Sequence, residues 1–92
     1  MLENVIERRL VNAVKESGGV CLKFTSPGNA GVPDRICLRE GRVVFVECKA
    51  PGKKPRPVQE LMMTRLRKLG FKCFVLDSVE GIDEIVRKLR DE

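Results

Sequence analysis

The sequence contains no histidine, no tryptophan and no tyrosine. Without histidine, the Ser/His and Cys/His hydrolase mechanisms are excluded, because each of them uses an imidazole as its base. Without tryptophan or tyrosine, and with only four phenylalanines that do not alternate with basic residues, an aromatic platform for base stacking is disfavoured. We therefore expect any bound nucleic acid to be contacted mainly through its phosphates.

Paired cysteine motifs and long apolar runs are also absent. The four cysteines stand apart in apolar segments, so the paired spacing of a four-cysteine zinc site is missing, and we expect buried, reduced thiols. They are Cys21, Cys37, Cys48 and Cys73. No run approaches the roughly 18 apolar residues of a membrane span, and the N-terminus has no apolar signal core. These features predict a soluble, cytoplasmic protein.

The length and the charge suggest a small domain with a polyanionic partner. The chain has 92 residues, which predicts a single domain spanning positions 1–92. Lysine and arginine number 18 against 13 acidic residues, giving a net charge of +5 that favours a partner such as DNA. A domain of this size buries only about two-thirds of its unfolded surface, so we expect a homodimer.

Hydrophobic periodicity predicts the order α-β-β-β-α-β-α, an α/β fold. Helices are predicted at 3–17, 57–69 and about 82–89, and strands at 20–24, 34–39, 42–49 and 71–76. The strand at 42–49, the helix that follows and the strand at 71–76 form a βαβ unit with parallel strands. Apolar residues on both faces of the hairpin strands predict a mixed central sheet flanked by helices.

Two of the predicted helices have an apolar side that we expect to face the core. On the first helix it comprises Leu2, Ile6, Leu10, Ala13 and Val14. On the second helix it comprises Leu61, Met62, Leu66 and Leu69.

The turn at Glu40-Gly41 sets the register of the predicted hairpin. A two-residue loop there makes Arg39 face Arg42. The same register places Asp34 directly opposite Glu47, with Cβ atoms about 4.5–5.5 Å apart.

Two carboxylates held this close are destabilising unless a cation lies between them. A divalent metal ion with oxygen ligands meets that need. Lys49, two residues beyond Glu47, projects from the same face of the strand and is placed to act beside the ion. On the first helix, Glu3 and Glu7 both lie near the apolar side. Either they extend to solvent at its edge or one of them reaches the Asp34/Glu47 pair.

Three segments together resemble a known nuclease domain. They are Gly31-Val32-Pro33-Asp34-Arg35, Val46-Glu47-Cys48-Lys49 and Gln59 in the following helix. This pattern is similar to the VRR-NUC (virus-type replication-repair nuclease) domain of the PD-(D/E)XK nuclease superfamily, in its stand-alone phage and bacterial form. The similarity spans nearly the whole chain and implies a restriction-endonuclease-like fold.

The resemblance also implies roles for individual residues. Asp34 and Glu47 would bind Mg²⁺ or Mn²⁺ together with the main-chain carbonyl of Cys48. Glu7 matches the acidic position of the family's first helix, and Glu3, one turn earlier, competes for that role.

The remaining assignments concern catalysis and DNA. Lys49 would be the catalytic lysine, and Gln59 matches a supporting polar position, with a solvent-facing glutamine as the alternative. The candidate DNA-contact residues are all basic: Lys23, Arg35, Lys53, Lys54 and Arg56. For Arg35 a structural ion pair is an equal alternative, and for the basic loop the alternative is a solvated surface.

The resulting hypothesis is a Mg²⁺/Mn²⁺-dependent, structure-specific DNA endonuclease. Its expected substrates are branched DNAs such as four-way (Holliday) junctions, as in DNA repair, and its expected state is a homodimer. The alternatives are a noncatalytic DNA-binding or assembly module of the same fold, or a flap or restriction-type nuclease.

Overall fold

The computed structural model describes residues 1–91 and contains the predicted helices and strands in the predicted order. The elements are α1 (Glu3–Glu16), β1 (Val20–Lys23), β2 (Arg35–Arg39), β3 (Arg42–Cys48), α2 (Pro57–Lys68), β4 (Lys72–Leu76) and α3 (Ile82–Asp91), with a short 3-10 turn (Val79–Gly81) before α3. None of the described helices has the length and apolarity needed to cross a membrane.

The four strands form one mixed sheet in the order β1-β2-β3-β4. The β1/β2 and β2/β3 pairs are antiparallel, and β3/β4 is parallel, as the βαβ interpretation predicted. Arg39 pairs with Arg42 and Arg35 with Val46, which confirms the predicted hairpin register. Glu40 and Gly41 have φ values of 48° and 80°, as in a two-residue type I′ turn that matches the twist of the strands.

The larger core lies between the sheet and the α1 and α3 helices. Its buried members from the helices are Ile6, Leu10, Val14, Ile82, Ile85 and Leu89, and those from the strands are Cys21, Cys37, Val44, Val46, Cys48 and Leu76. All four cysteines are buried free thiols, as expected.

The second face of the sheet is covered only in part. A smaller cluster there contains Phe45, Met63 and Cys73. On this side Val20 and Leu22 of β1 are exposed. The prediction that both faces of the sheet are covered therefore fits best at the strands next to α2.

Both predicted apolar stripes need correction. Leu2 precedes α1 and is exposed rather than part of its buried side. On α2, Leu61 and Leu69 are 63% and 73% exposed, while Gln59 and Met63 are the buried residues. The prediction was wrong because apolar residues surround much of this helix, so its sequence does not define one stripe.

Candidate active site

Asp34 and Glu47 are held together by main-chain hydrogen bonds at one end of the sheet. The N–H of Asp34 donates to Oε1 of Glu47 at 3.2 Å. The N–H of Cys48 donates to Oδ2 of Asp34 at 2.9 Å. Asp34 lies one residue before β2, and its carbonyl accepts a hydrogen bond of 2.8 Å from the N–H of Phe24. Segments that belong to three neighbouring strands or their extensions therefore position the two carboxylates.

Glu47 is an acidic residue with almost no contact with solvent. Its side chain is 1% exposed, and Nζ of Lys49 lies 3.1 Å from its Oε2. That ion pair is not aligned as a hydrogen bond, and no other group among residues 1–91 donates one to Oε2. Lys49 follows β3 directly, and its N–H donates to the carbonyl of Leu76 at 2.9 Å. The site thus holds a buried carboxylate oxygen whose hydrogen-bonding capacity is unfilled.

The electrostatic environment of Glu47 disfavours its charge. Burial raises the pKa of this carboxyl above its usual value of 4.5, and the neighbouring Asp34 charge raises it further. Lys49 and the N–H of Asp34 act in the opposite direction without cancelling the effect. A cation bound between the two carboxylates would offset the Asp34 repulsion and stabilise the ionised form of Glu47.

Glu7 forms a separate ion pair on the α1 side of the sheet. Nε of Arg35 donates to Oε2 of Glu7 at 2.7 Å, and both side chains are about 15% exposed. Nζ of Lys23 lies 3.9 Å from the same oxygen. Arg35 pairs with Val46, whose side chain packs in the core beneath α1, so this network lies across the sheet from Glu47. Glu3, the competing candidate, is exposed.

The start of α2 lies beside the segment that leads into Asp34. Gln59 is buried, unlike a solvent-facing glutamine, and its Oε1 accepts a hydrogen bond of 2.8 Å from the N–H of Arg56. This bond caps the helix. A Cβ atom on Gly31, whose φ is +84°, would lie only 2.4 Å from the carbonyl oxygen of Val58. The glycine therefore allows the loop at 25–33 to pack closely against the first turn of α2.

The basic candidates fall into two groups. Lys53, Lys54 and Arg56 are exposed in the connection between β3 and α2, a few residues after Lys49. They are free to approach a phosphate backbone from that loop. Arg35 and the exposed Lys23 lie beside Glu7 instead, and for Arg35 this is the structural ion pair that was one of its two predicted roles.

Sequence reasoning identified the acidic pair but missed the donors that fix it. It assigned the carbonyl of Cys48 a role, whereas the structure also uses the N–H of Cys48 on Asp34 and the N–H of Asp34 on Glu47. The available signal was that N–H groups at the end of a hairpin ladder need partners, and acidic side chains at that point supply them.

A metal ion would need solvent ligands in addition to these residues. In the described part of the chain, no three Asp, Glu, Cys or His side chains converge well enough to hold a metal ion by themselves. Mg²⁺ retains several waters and is often bound through one or two carboxylates, so the Asp34/Glu47 pair and its unfilled oxygen fit such an ion. Glu7 would have to exchange Arg35 for the ion in order to join them.

Comparisons with known proteins identify the family. A profile described as archaeal Holliday junction resolvase (hjc) matches residues 3–72, a span that includes Asp34, Glu47 and Lys49. The chain belongs to this family. The "Putative nuclease p44" of Acyrthosiphon pisum secondary endosymbiont phage 1 is 52% identical over 77 residues, which is 83% of each protein.

A solved structure agrees with this assignment. The structure titled "VRR_NUC domain" matches this hjc-family chain with a TM-score of 0.85 and 29% identity. The match covers 92% of this chain and 94% of the other. The resemblance to VRR-NUC and the restriction-endonuclease-like fold are thereby confirmed.

Proposed function

We propose that the protein is a metal-dependent DNA endonuclease that cleaves phosphodiester bonds in branched DNA. Membership of a Holliday junction resolvase family and the similarity to a phage protein named as a nuclease support a nuclease acting on DNA junctions. The observation that supports the metal dependence is the buried Oε2 of Glu47, which has the ammonium of Lys49 nearby but no directed hydrogen bond, and which lies beside a second carboxylate.

The residues that would hold Mg²⁺ or Mn²⁺ are Asp34 and Glu47, with the carbonyl of Cys48. Glu7 would be a further ligand only after exchanging its ion pair with Arg35 for the ion. A bound ion would lower the pKa of a coordinated water and offset the charge that develops on the scissile phosphate. The chain's contribution is to hold two acidic oxygens in place before DNA arrives, through the main-chain bonds at Asp34 and Cys48. Gln59 supports the site indirectly by fixing the start of α2.

Lys49 would act on the reacting groups themselves. Its side chain is only 16% exposed and its ammonium lies next to Glu47, so the position of the ammonium is defined. From there it would orient the attacking water or donate to a phosphate oxygen as negative charge accumulates. This role requires the ammonium of Lys49 to donate hydrogen bonds to both Glu47 and the substrate.

DNA would be bound mainly through its backbone. Lys53, Lys54 and Arg56 form an exposed basic loop next to the site, and the chain carries a net charge of +5. Contacts of this kind position a duplex without reading its sequence. Recognition would then depend on the shape of the DNA, in keeping with a structure-specific enzyme.

A homodimer would suit a four-way junction, because a two-fold axis relates two active sites to two equivalent strands. A cleavage panel with linear duplex, single strand, flap, splayed arm and four-way junction of equal length tests the substrate class, with light scattering for the mass in solution. We expect faster cleavage of the junction and about twice the chain mass of 10.4 kDa. A monomer that cuts linear duplex and junction equally well would refute both parts.

A further inference from the structure

The exposed side of α2 carries apolar residues that the core does not use. Val58 is 37% exposed and Leu61 is 63% exposed. With Met62 and Arg65 they form one wall of a groove of about 220 Å³, whose other wall is the loop segment 28–30. Larger grooves lie around the hairpin turn at the far end of the sheet, away from the acidic pair.

This groove lies close to the proposed cleavage point. Gly31, next to the groove's loop wall, packs against the carbonyl of Val58 in its helix wall. Asp34 follows three residues later, and three residues of extended chain reach at most about 11 Å. Since successive nucleotides of a duplex strand rise by about 3.4 Å, the groove lies within a few nucleotides of the site.

The chemistry of the groove matches an unpaired nucleobase. Its walls supply aliphatic side chains, which wedge between or cover base faces, and one guanidinium, which stacks on a base or pairs with a phosphate. Its volume is below the roughly 300–1,000 Å³ of pockets for drug-sized ligands, which favours a single ring system over a larger ligand. The chain has no tryptophan or tyrosine that could stack on the base instead.

We propose that the groove formed by Val58, Leu61, Met62, Arg65 and the 28–30 segment binds one nucleobase next to the branch point of the DNA substrate, after that base has left its pair. This inference rests on the proposed nuclease function and explains why a branched substrate would be preferred. A base within a continuous duplex is stacked on both sides and paired, so it enters the groove only at an energetic cost, and that cost is lower for a base at a branch point, where the stack is interrupted.

The alternative occupant of an apolar surface is a second copy of the chain. Here the neighbouring side chains argue for DNA, because Arg65 lines the groove and the basic loop with Lys53, Lys54 and Arg56 leads into the same helix. A polyanion complements this surface better than another chain with a charge of +5.

The test uses a four-way junction in which 2-aminopurine replaces, one at a time, the bases next to the branch point. Binding is measured in Ca²⁺ with a Lys49→Ala background, so that the DNA stays intact. We expect a rise in 2-aminopurine fluorescence at one position near the cut. Leu61→Asn should abolish that rise and weaken junction binding about 5- to 100-fold, the usual range for losing one stacked base.

Leu69→Asn is the matched control, because Leu69 is also highly exposed, directly follows α2 and does not line the groove. It should preserve both the fluorescence signal and the affinity, and linear-duplex binding should change less than about twofold in either variant. Thermal melting confirms that both variants fold.

Three outcomes in the variants would overturn the inference. The first is an unchanged fluorescence rise in Leu61→Asn. The second is an equal loss in Leu69→Asn. The third is a shift from dimer to monomer in Leu61→Asn by light scattering, which would assign the groove to a second copy. If the parent protein cuts branched DNA but shows no fluorescence rise, only the groove is refuted, whereas a parent that neither binds nor cuts DNA refutes the proposed function as well.

Discussion

The main-chain N–H of Asp34 lies 3.2 Å from Oε1 of Glu47, so a backbone donor joins the two acidic residues of the site. The second oxygen of Glu47 has only the nearby ammonium of Lys49, without a directed hydrogen bond. The metal-free protein therefore buries a carboxylate at a net cost in free energy, and that cost can be measured.

The first prediction concerns the stability of the metal-free protein. Because the pKa of Glu47 is raised on folding, the native state holds its proton more tightly than the unfolded state. The free energy of unfolding that this tighter proton binding contributes is fully present below the usual pKa of 4.5, and it is lost as the pH rises through the higher native pKa. Glu47→Gln should remove this part of the pH dependence and raise the melting temperature in EDTA at neutral pH.

The measurement is thermal and urea unfolding of both proteins between about pH 4 and 8. Each 1 kcal/mol gained raises the melting temperature of a domain this size by roughly 4–8 °C, so the difference is observable. Mn²⁺ should stabilise the parent and leave Glu47→Gln unchanged. Equal destabilisation of the variant at all pH values would contradict the account of a carboxylate whose charge is disfavoured by burial.

The second prediction concerns Lys49. Lys49→Ala should reduce cleavage by roughly 10²–10³-fold, the usual range for losing one donor to the charge that develops in the transition state. DNA affinity in Ca²⁺ should change little, because the basic loop supplies the phosphate contacts. Single-turnover cleavage and fluorescence anisotropy separate the two effects. A variant that cuts at nearly the parent rate would show that Lys49 has no chemical role.

The third prediction separates Glu7 from Glu3. Glu7→Gln should weaken metal-dependent cleavage by at least roughly 10- to 100-fold, and it should also lower stability, because Arg35 loses its partner. Glu3→Gln is the control, since Glu3 is exposed. The double variant with Glu7→Arg and Arg35→Glu should recover stability and not cleavage.

A calorimetric titration with Mn²⁺ measures the metal affinity of each variant independently of cleavage. If the double variant regains both metal affinity and cleavage, Glu7 acts only through its ion pair with Arg35. If Glu3→Gln is the more damaging change, the helix ligand must be reassigned.

The fourth prediction concerns the basic loop. Replacing Lys53, Lys54 and Arg56 by alanine should weaken binding to all DNAs alike. The slope of log affinity against log salt should fall by about 0.9 for each lost phosphate contact. Lys15→Ala, on the exposed side of α1, should leave the slope unchanged. If the triple variant kept the parent slope, the loop would not contact DNA phosphates.

Sequence patterns predicted the parts of the fold that depend on local chemistry. The Glu40-Gly41 turn defined the hairpin register, and that register brought Asp34 next to Glu47. The face of α2 could not be predicted, because Gln59 turns inward to cap the helix while Leu61 remains at the surface. That choice depends on how the helix packs, which its own periodicity does not contain.

The partner of Glu7 was also beyond the sequence. Helical phase placed Glu7 near the core side of α1, and the resemblance matched it to an acidic position in the family. Its contact with Arg35 joins residues 28 positions apart and depends on how α1 lies on β2. A long-range ion pair of this kind leaves no periodic signal in the chain.

The central claim is that Asp34 and Glu47 form a metal-dependent nuclease site. Its most direct test is the cleavage of a labelled four-way junction by the pure protein in Mg²⁺ or Mn²⁺, in Ca²⁺ and in excess EDTA, with Asp34→Asn and Glu47→Gln prepared identically. We predict cleavage only for the parent protein and only with Mg²⁺ or Mn²⁺. Cleavage by the parent in excess EDTA, or undiminished cleavage by either variant, would contradict the account.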